Sequence, residues 1–184
     1  AIMIGRLAGA EASGTISGPT DTASFDVFIG EQAGYRSLSD GANTAIGYAA
    51  NWKSYQNSSS IFIGGSAGYF SNKAVNSCSI GHLAGAQAYD HDRSMYLGYS
   101  AGSSSSGDYQ AVKLGYEAGH HSSGCYQNTV IGPNAGSYRN RYQRTALDFD
   151  DIPNMIGNVR NIIIGYNAGS NAGGRYNTLI GDYA

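Results

Sequence analysis

The phrase Ile-Gly-x-x-Ala returns along the whole chain, and no other feature limits the fold so tightly. Its first two residues stand at Ile4-Gly5, Ile29-Gly30, Ile46-Gly47, Ile63-Gly64, Ile80-Gly81, Leu97-Gly98, Leu114-Gly115, Ile131-Gly132, Ile164-Gly165 and Ile180-Gly181. From Ile29 to Ile131 each interval is 17 residues, and Ile164 to Ile180 is 16. A fixed period of this kind marks a supersecondary unit that buries its apolar side by stacking on its neighbours.

Two intervals break the period. Ile131 to Ile164 is 33 residues, which divides into 16 and 17 at Leu147. There Tyr142-Gln143-Arg144-Thr145-Ala146-Leu147 aligns with Tyr126-Gln127-Asn128-Thr129-Val130-Ile131. Residues 142–160 then form a degenerate coil, with Asp148 in place of the Gly and Asp151 in place of the Ala. A competing division takes the out-of-phase Met155-Ile156-Gly157 as part of a long loop. Ile4 to Ile29 is 25 residues, one coil plus a loop insertion within 10–26.

Seventeen residues are too few for a helix-turn-helix repeat. The residues before each anchor are β-branched or aromatic and bounded by Gly, Ser and Asn, as in Ser60-Ile61-Phe62-Ile63 and Asn161-Ile162-Ile163-Ile164. Such runs predict short strands, and the chain as a single all-β domain, a parallel β-solenoid or β-roll over 1–184. The Ile/Leu anchors are expected to point inward, each contributing roughly 1.5–3 kcal/mol when buried. Gly turns the corner after each anchor, and Ala, as at Ala33, fits where a thin coil has no room for more. Asn51, where other coils carry a second Gly, tolerates the left-handed conformation.

The position two before the anchor, which includes Cys78, is expected to share the inward face. Cys125 lies nearly three coils away, roughly 13 Å along the axis, beyond the reach of a disulfide. The position just before the anchor holds Phe28, Phe62, Tyr96, Val130, Ile163 and Leu179 and is expected to face outward. A stripe of that kind predicts lateral association of chains, most simply a homotrimer.

"NTVIGPNAG", "NTAIGYAAN", "NSCSIGHLAG" and "SSIFIGGSAG" resemble the repeat of trimeric autotransporter adhesin heads, the YadA-like family, and repeats in bacteriophage tail-fibre proteins. The resemblance covers nearly the whole chain and implies a left-handed β-roll, three chains side by side, working as a stiff host-contacting fibre. Adhesin-head coils are usually shorter, and neither their stalk nor their membrane anchor is visible, so the wording leans toward the viral fibre. On this reading the chain is an extracellular or virion component; the bacterial cell surface is the alternative. A self-polymerising extracellular filament is a third reading, because the sequence opens at Ala1 and stops at Ala184 inside copies of the repeat.

Eleven basic residues against 13 acidic, in a chain 13% charged, argue against a nucleic-acid partner. No apolar run is long enough for membrane insertion as a helix. No cofactor and no catalytic machinery are expected. Asp148, Asp150 and Asp151 are weak candidates for Ca²⁺, or else a solvated bulge paired with Arg139, Arg141 and Arg144. His120-His121 and Asp90-His91-Asp92 lack the spacing of a zinc site. Tyr35, Trp52 and Tyr69, six residues after successive anchors, are candidates for glycan contact, as more weakly are Tyr48, Tyr99, Tyr116 and Tyr166. Alternatively these columns stack on one another and rigidify the rod. The partners expected are therefore the chain itself and a host-surface glycan or protein receptor.

Overall fold

The computed structural model describes residues 1–12, 26–137, 160–170 and 176–184. The chain is an all-β parallel β-solenoid, with no helix among the described residues. Ten three-residue strands form one sheet in strict sequence order. They are β1 (Ile2–Ile4), β2 (Val27–Ile29), β4 (Thr44–Ile46), β6 (Ile61–Ile63), β8 (Cys78–Ile80), β10 (Met95–Leu97), β11 (Val112–Leu114), β12 (Thr129–Ile131), β13 (Ile162–Ile164) and β14 (Thr178–Ile180). A second parallel sheet holds β3 (Leu38–Gly41), β5 (Tyr55–Ser58), β7 (Asn72–Val75) and β9 (Tyr89–Asp92). Isolated bridges carry it on through Ser106 and Ser123 and through Tyr109 and Tyr126.

Anchor pairs with anchor all along the first sheet, as in Ile29↔Ile46, Ile46↔Ile63 and Ile63↔Ile80. Ile131 pairs directly with Ile164, and Asn161 N–H donates to Asn128 Oδ1; Leu147 lies outside the described residues. Ile4 likewise pairs directly with Ile29. The segments 13–25 and 138–159, which hold the expected loop insertion and most of the degenerate coil, lie outside the described residues.

The facing of the strands is the reverse of the expectation. Phe28, Phe62 and Tyr96 are fully buried, and Val130 and Ile163 nearly so. The anchors point out: Ile29, Ile46, Ile63, Ile80, Ile131 and Ile164 are half-buried, and Leu97 and Leu114 are exposed at 38% each. The position two before the anchor shares this outer face, with Ile61 41% and Met95 47% exposed. Cys78 is therefore an outer-face residue, half-buried, whereas Cys125 lies in the interior; both are free thiols. Burial raises the pKa of both.

The physical reason is volume. The interior is so thin that one large side chain must be offset by small ones around it. Successive coils carry Phe28, Ala45, Phe62 and Ser79 at the inward strand position, all fully buried. The residue twelve further on, on the opposite wall, compensates: Asn57 faces the coil of Ala45, Ala74 that of Phe62, and His91 that of Ser79. Ala33, Ala50, Ala67, Ala84, Ala101, Ala118, Ala135 and Ala168 are all fully buried, as a narrow coil requires.

Two glycine positions follow from the same crowding. After the anchor, Gly47 has φ 133°, and a Cβ there would lie 2.5 Å from the Gly64 carbonyl oxygen of the next coil. Gly30, Gly64, Gly81, Gly98, Gly115, Gly132 and Gly165 meet the coil above in the same way. Four residues on, Gly68 has φ 65°, and its Cβ would lie 2.2 Å from the Phe62 ring. Asn51 occupies the equivalent position where the inward residue is Ala45. It is fully buried, and its Oδ1 accepts from Asn57 Nδ2 at 2.8 Å. The exception is thus a matter of space as well as of left-handed backbone.

Candidate functional site

Identical positions in successive parallel coils lie about 4.8 Å apart, close to the separation at which rings stack. Tyr35 and Trp52 stack with centroids 6.2 Å apart, and Trp52 and Tyr69 at 4.8 Å with planes 3° apart. Phe70 stands perpendicular to the stack, 5.2 Å from Trp52 and 4.6 Å from Tyr69. Lys53 Nζ lies 4.3 Å from the Trp52 ring centroid, and the Arg36 guanidinium 5.3 Å from that of Tyr35. Arg36 also pairs with Glu11, whose Oε1 accepts from the Tyr35 hydroxyl at 3.1 Å. These hydrogen bonds, from Arg36 first, hold the Glu11 carboxyl below its ordinary pKa.

The structure thus brings Tyr35, Trp52 and Tyr69 together, and the stack occupies the inner ring faces. The second expected column is only partly assembled. Tyr99 and Tyr116 stack at 5.2 Å, and His82 joins them at 5.4 Å. Tyr48 has Gly65 above it in the column, and Tyr166 meets Tyr183 edge-on instead. A third pair, Tyr109 on Tyr126 at 4.8 Å, carries Arg93, which donates to the Tyr109 hydroxyl at 2.7 Å. Its signal was the 17-residue spacing of the two tyrosines.

Inside the coil lies a polar cluster that spacing alone did not announce. Lys113 takes an inward strand position and Asp108 an opposite-wall position, and both side chains are fully buried. Lys113 Nζ and the Tyr96 hydroxyl both donate to Asp108 Oδ2, and Ser105 Oγ donates to it at 2.9 Å. Lys113 Nζ also donates to Ser122 Oγ at 2.7 Å. His91 lies one coil away, its ring 5.4 Å from that of Tyr96. Burial pushes the His91 pKa down to about 4, outweighing the attraction of Asp108. Burial first, then Asp108, holds the Tyr96 pKa well above its ordinary value. These residue types serve in catalysis elsewhere, but here solvent, and with it any substrate, is excluded.

A second interior feature escaped the sequence reading: a side-chain ladder three residues before the anchors. Asn43 N–H donates to Asp26 Oδ1 at 2.7 Å, and Ser60 N–H to Asn43 Oδ1 at 3.1 Å. Ser77, Ser94 and Ala111 N–H donate in turn to Ser60, Ser77 and Ser94 Oγ. Asn128, Asn161 and Asn177 continue the pattern. Except at Ala111 and at the last rung, Asn177, each side chain caps the backbone of the next coil and so satisfies polar groups that the thin core would otherwise strand. The Ser/Asn preference before the anchors was its signal.

Asp148, Asp150 and Asp151 lie outside the described residues. Asp90, His91 and Asp92 do not converge, since His91 points into the core while Asp90 is exposed. Among the described residues no group of three or more His, Cys, Asp or Glu side chains is placed to hold a metal ion. No described helix is long and apolar enough to cross a membrane. No protein-family model, curated protein or solved structure matches the chain.

Proposed function

We propose that the chain is a structural and adhesive segment of a fibre, without catalytic machinery, working outside the cell or on a virion. The single observation that supports this most is the outer face of the ten-stranded sheet. Two parallel columns run its length, the anchors and the residues two before them, and they are filled mainly by Ile, Leu, Val, Met and Thr. Ten strands at about 4.8 Å make a contiguous apolar stripe roughly 43 Å long, unlike the scattered single apolar residues normal on a soluble surface. Copies of the chain join through this stripe, most simply as a homotrimer. The in-register backbone ladder and the Asn/Ser ladder stiffen each rod, while the aromatic columns on the outer turns meet a host-surface glycan or receptor. A viral tail fibre and a bacterial adhesin head share these mechanics, and the wording of the repeat favours the former.

Native mass spectrometry of the dilute chain tests the reading. A discrete trimer is expected. Open-ended polymers would favour a filament built end to end, and a clean monomer would overturn the assembly.

A further inference from the structure

Beside the aromatic ladder runs an open groove of about 460 Å³, lined by Glu11, Arg36, Leu38, Lys53, Tyr55, Phe70, Ser71 and Asn72. One wall is the column seven residues after the anchors, Glu11, Arg36, Lys53 and Phe70; the other is the column two further on, Leu38, Tyr55 and Asn72. The groove therefore follows the rod axis across four coils, as a linear polymer would.

Its chemistry is uneven. Glu11 is taken by Arg36 and the Tyr35 hydroxyl. Lys53 has no carboxylate partner among the described residues and rests on the faces of Trp52 and Phe70, 4.3 and 5.8 Å from their centroids. The groove thus offers a net cation in a chain whose formal charge is -2. It also offers ring surface the stack leaves open: Phe70 is 44% and Tyr55 52% exposed. An apolar ring wall, a cation held in place and the polar edge of Asn72 together match a sugar ring bearing an acid group.

We infer that this groove binds an acidic saccharide, its pyranose ring against Phe70 and Tyr55 and its carboxylate on Lys53. This rests on the glycan-contact reading above and narrows it to a class of sugar and a set of residues. Trp52, the only tryptophan of the chain, touches Lys53 and Phe70 of the lining, so intrinsic fluorescence reports on the groove through them.

The test is titration of the assembled protein with 3′-sialyllactose and trigalacturonate, each beside a neutral sugar of similar size, lactose and maltotriose. The acidic sugars should change Trp52 emission saturably and bind about fivefold more tightly than the neutral ones, the scale of one exposed charge pair. Added salt should erode that margin. Lys53→Met keeps the apolar stem and the fold, checked by circular dichroism, and should abolish the margin between acidic and neutral sugars. Equal binding of acidic and neutral sugars, unaltered in K53M, would overturn the acidic assignment but leave sugar contact standing. No saturable change with any of the four sugars would remove both.

Discussion

Exchanging volume between Phe62 and Gly68 probes the interior packing most sharply. Phe62→Ala removes a fully buried ring and should destabilise by about 3–5 kcal/mol. Gly68→Ala meets two penalties. The left-handed backbone at φ 65° costs a residue with a Cβ about 1–2 kcal/mol. The new methyl, 2.2 Å from the ring, forces the core to shift at about 1–3 kcal/mol more. In the double variant the methyl enters space the ring has left, so only the backbone penalty remains. The pair should thus couple by about 1–3 kcal/mol, well above the scatter of independent sites. The chain already contains this exchange, since Ala45 and Asn51 occupy the same two positions one coil earlier. Urea melts of the four proteins, followed by circular dichroism, measure the coupling. Additivity within about 0.5 kcal/mol would refute the claim that these two positions share one volume.

Further outcomes follow from the interior polar residues. Lys113→Met strands the buried Asp108 carboxylate and should cost about 3–5 kcal/mol, whereas Lys113→Met with Asp108→Ala should recover most of that loss in the same melts. His91 has a pKa near 4 in the fold against an ordinary 6.5, so it stays neutral where the unfolded chain takes up a proton. Its share of stability is complete above pH 6.5 and is lost as the pH falls toward 4, by about 3 kcal/mol in all. His91→Asn, which copies Asn57 in the same column, should flatten that part of the stability-against-pH curve.

The period, the glycine corners and the fully buried alanines were legible because each answers to one local constraint repeated without change. The facing of the strands was not. In a three-residue strand both faces can be apolar, and alternation alone does not choose between them. The anchors look like a core because they are uniformly Ile or Leu, but a uniformly filled column is what an outer face can hold. The interior column must vary, and it runs from Phe28 and Ala45 to Ser79, Tyr96 and Lys113. A clue lay in the sequence: among the described coils, only the one with Ala45 inward carries Asn51 in place of the second glycine. The aromatic columns were visible as spacing, but which rings would stack depended on what intervenes, Gly65 above Tyr48 or Pro133 and Asp182 beside Tyr166. The Lys113–Asp108 pair joins positions with no periodic relation and surfaced only once both walls of the coil were known.

The outer face of the ten-stranded sheet carries the assembly in this account, and sedimentation velocity on Ile46→Lys/Ile131→Lys tests that most directly. Both side chains leave the strand outward, so the substitutions should spare the coil and charge the stripe. The expected result is the β-rich circular dichroism of the parent with the mass of a single chain. A variant that keeps the parent's assembled mass would contradict it.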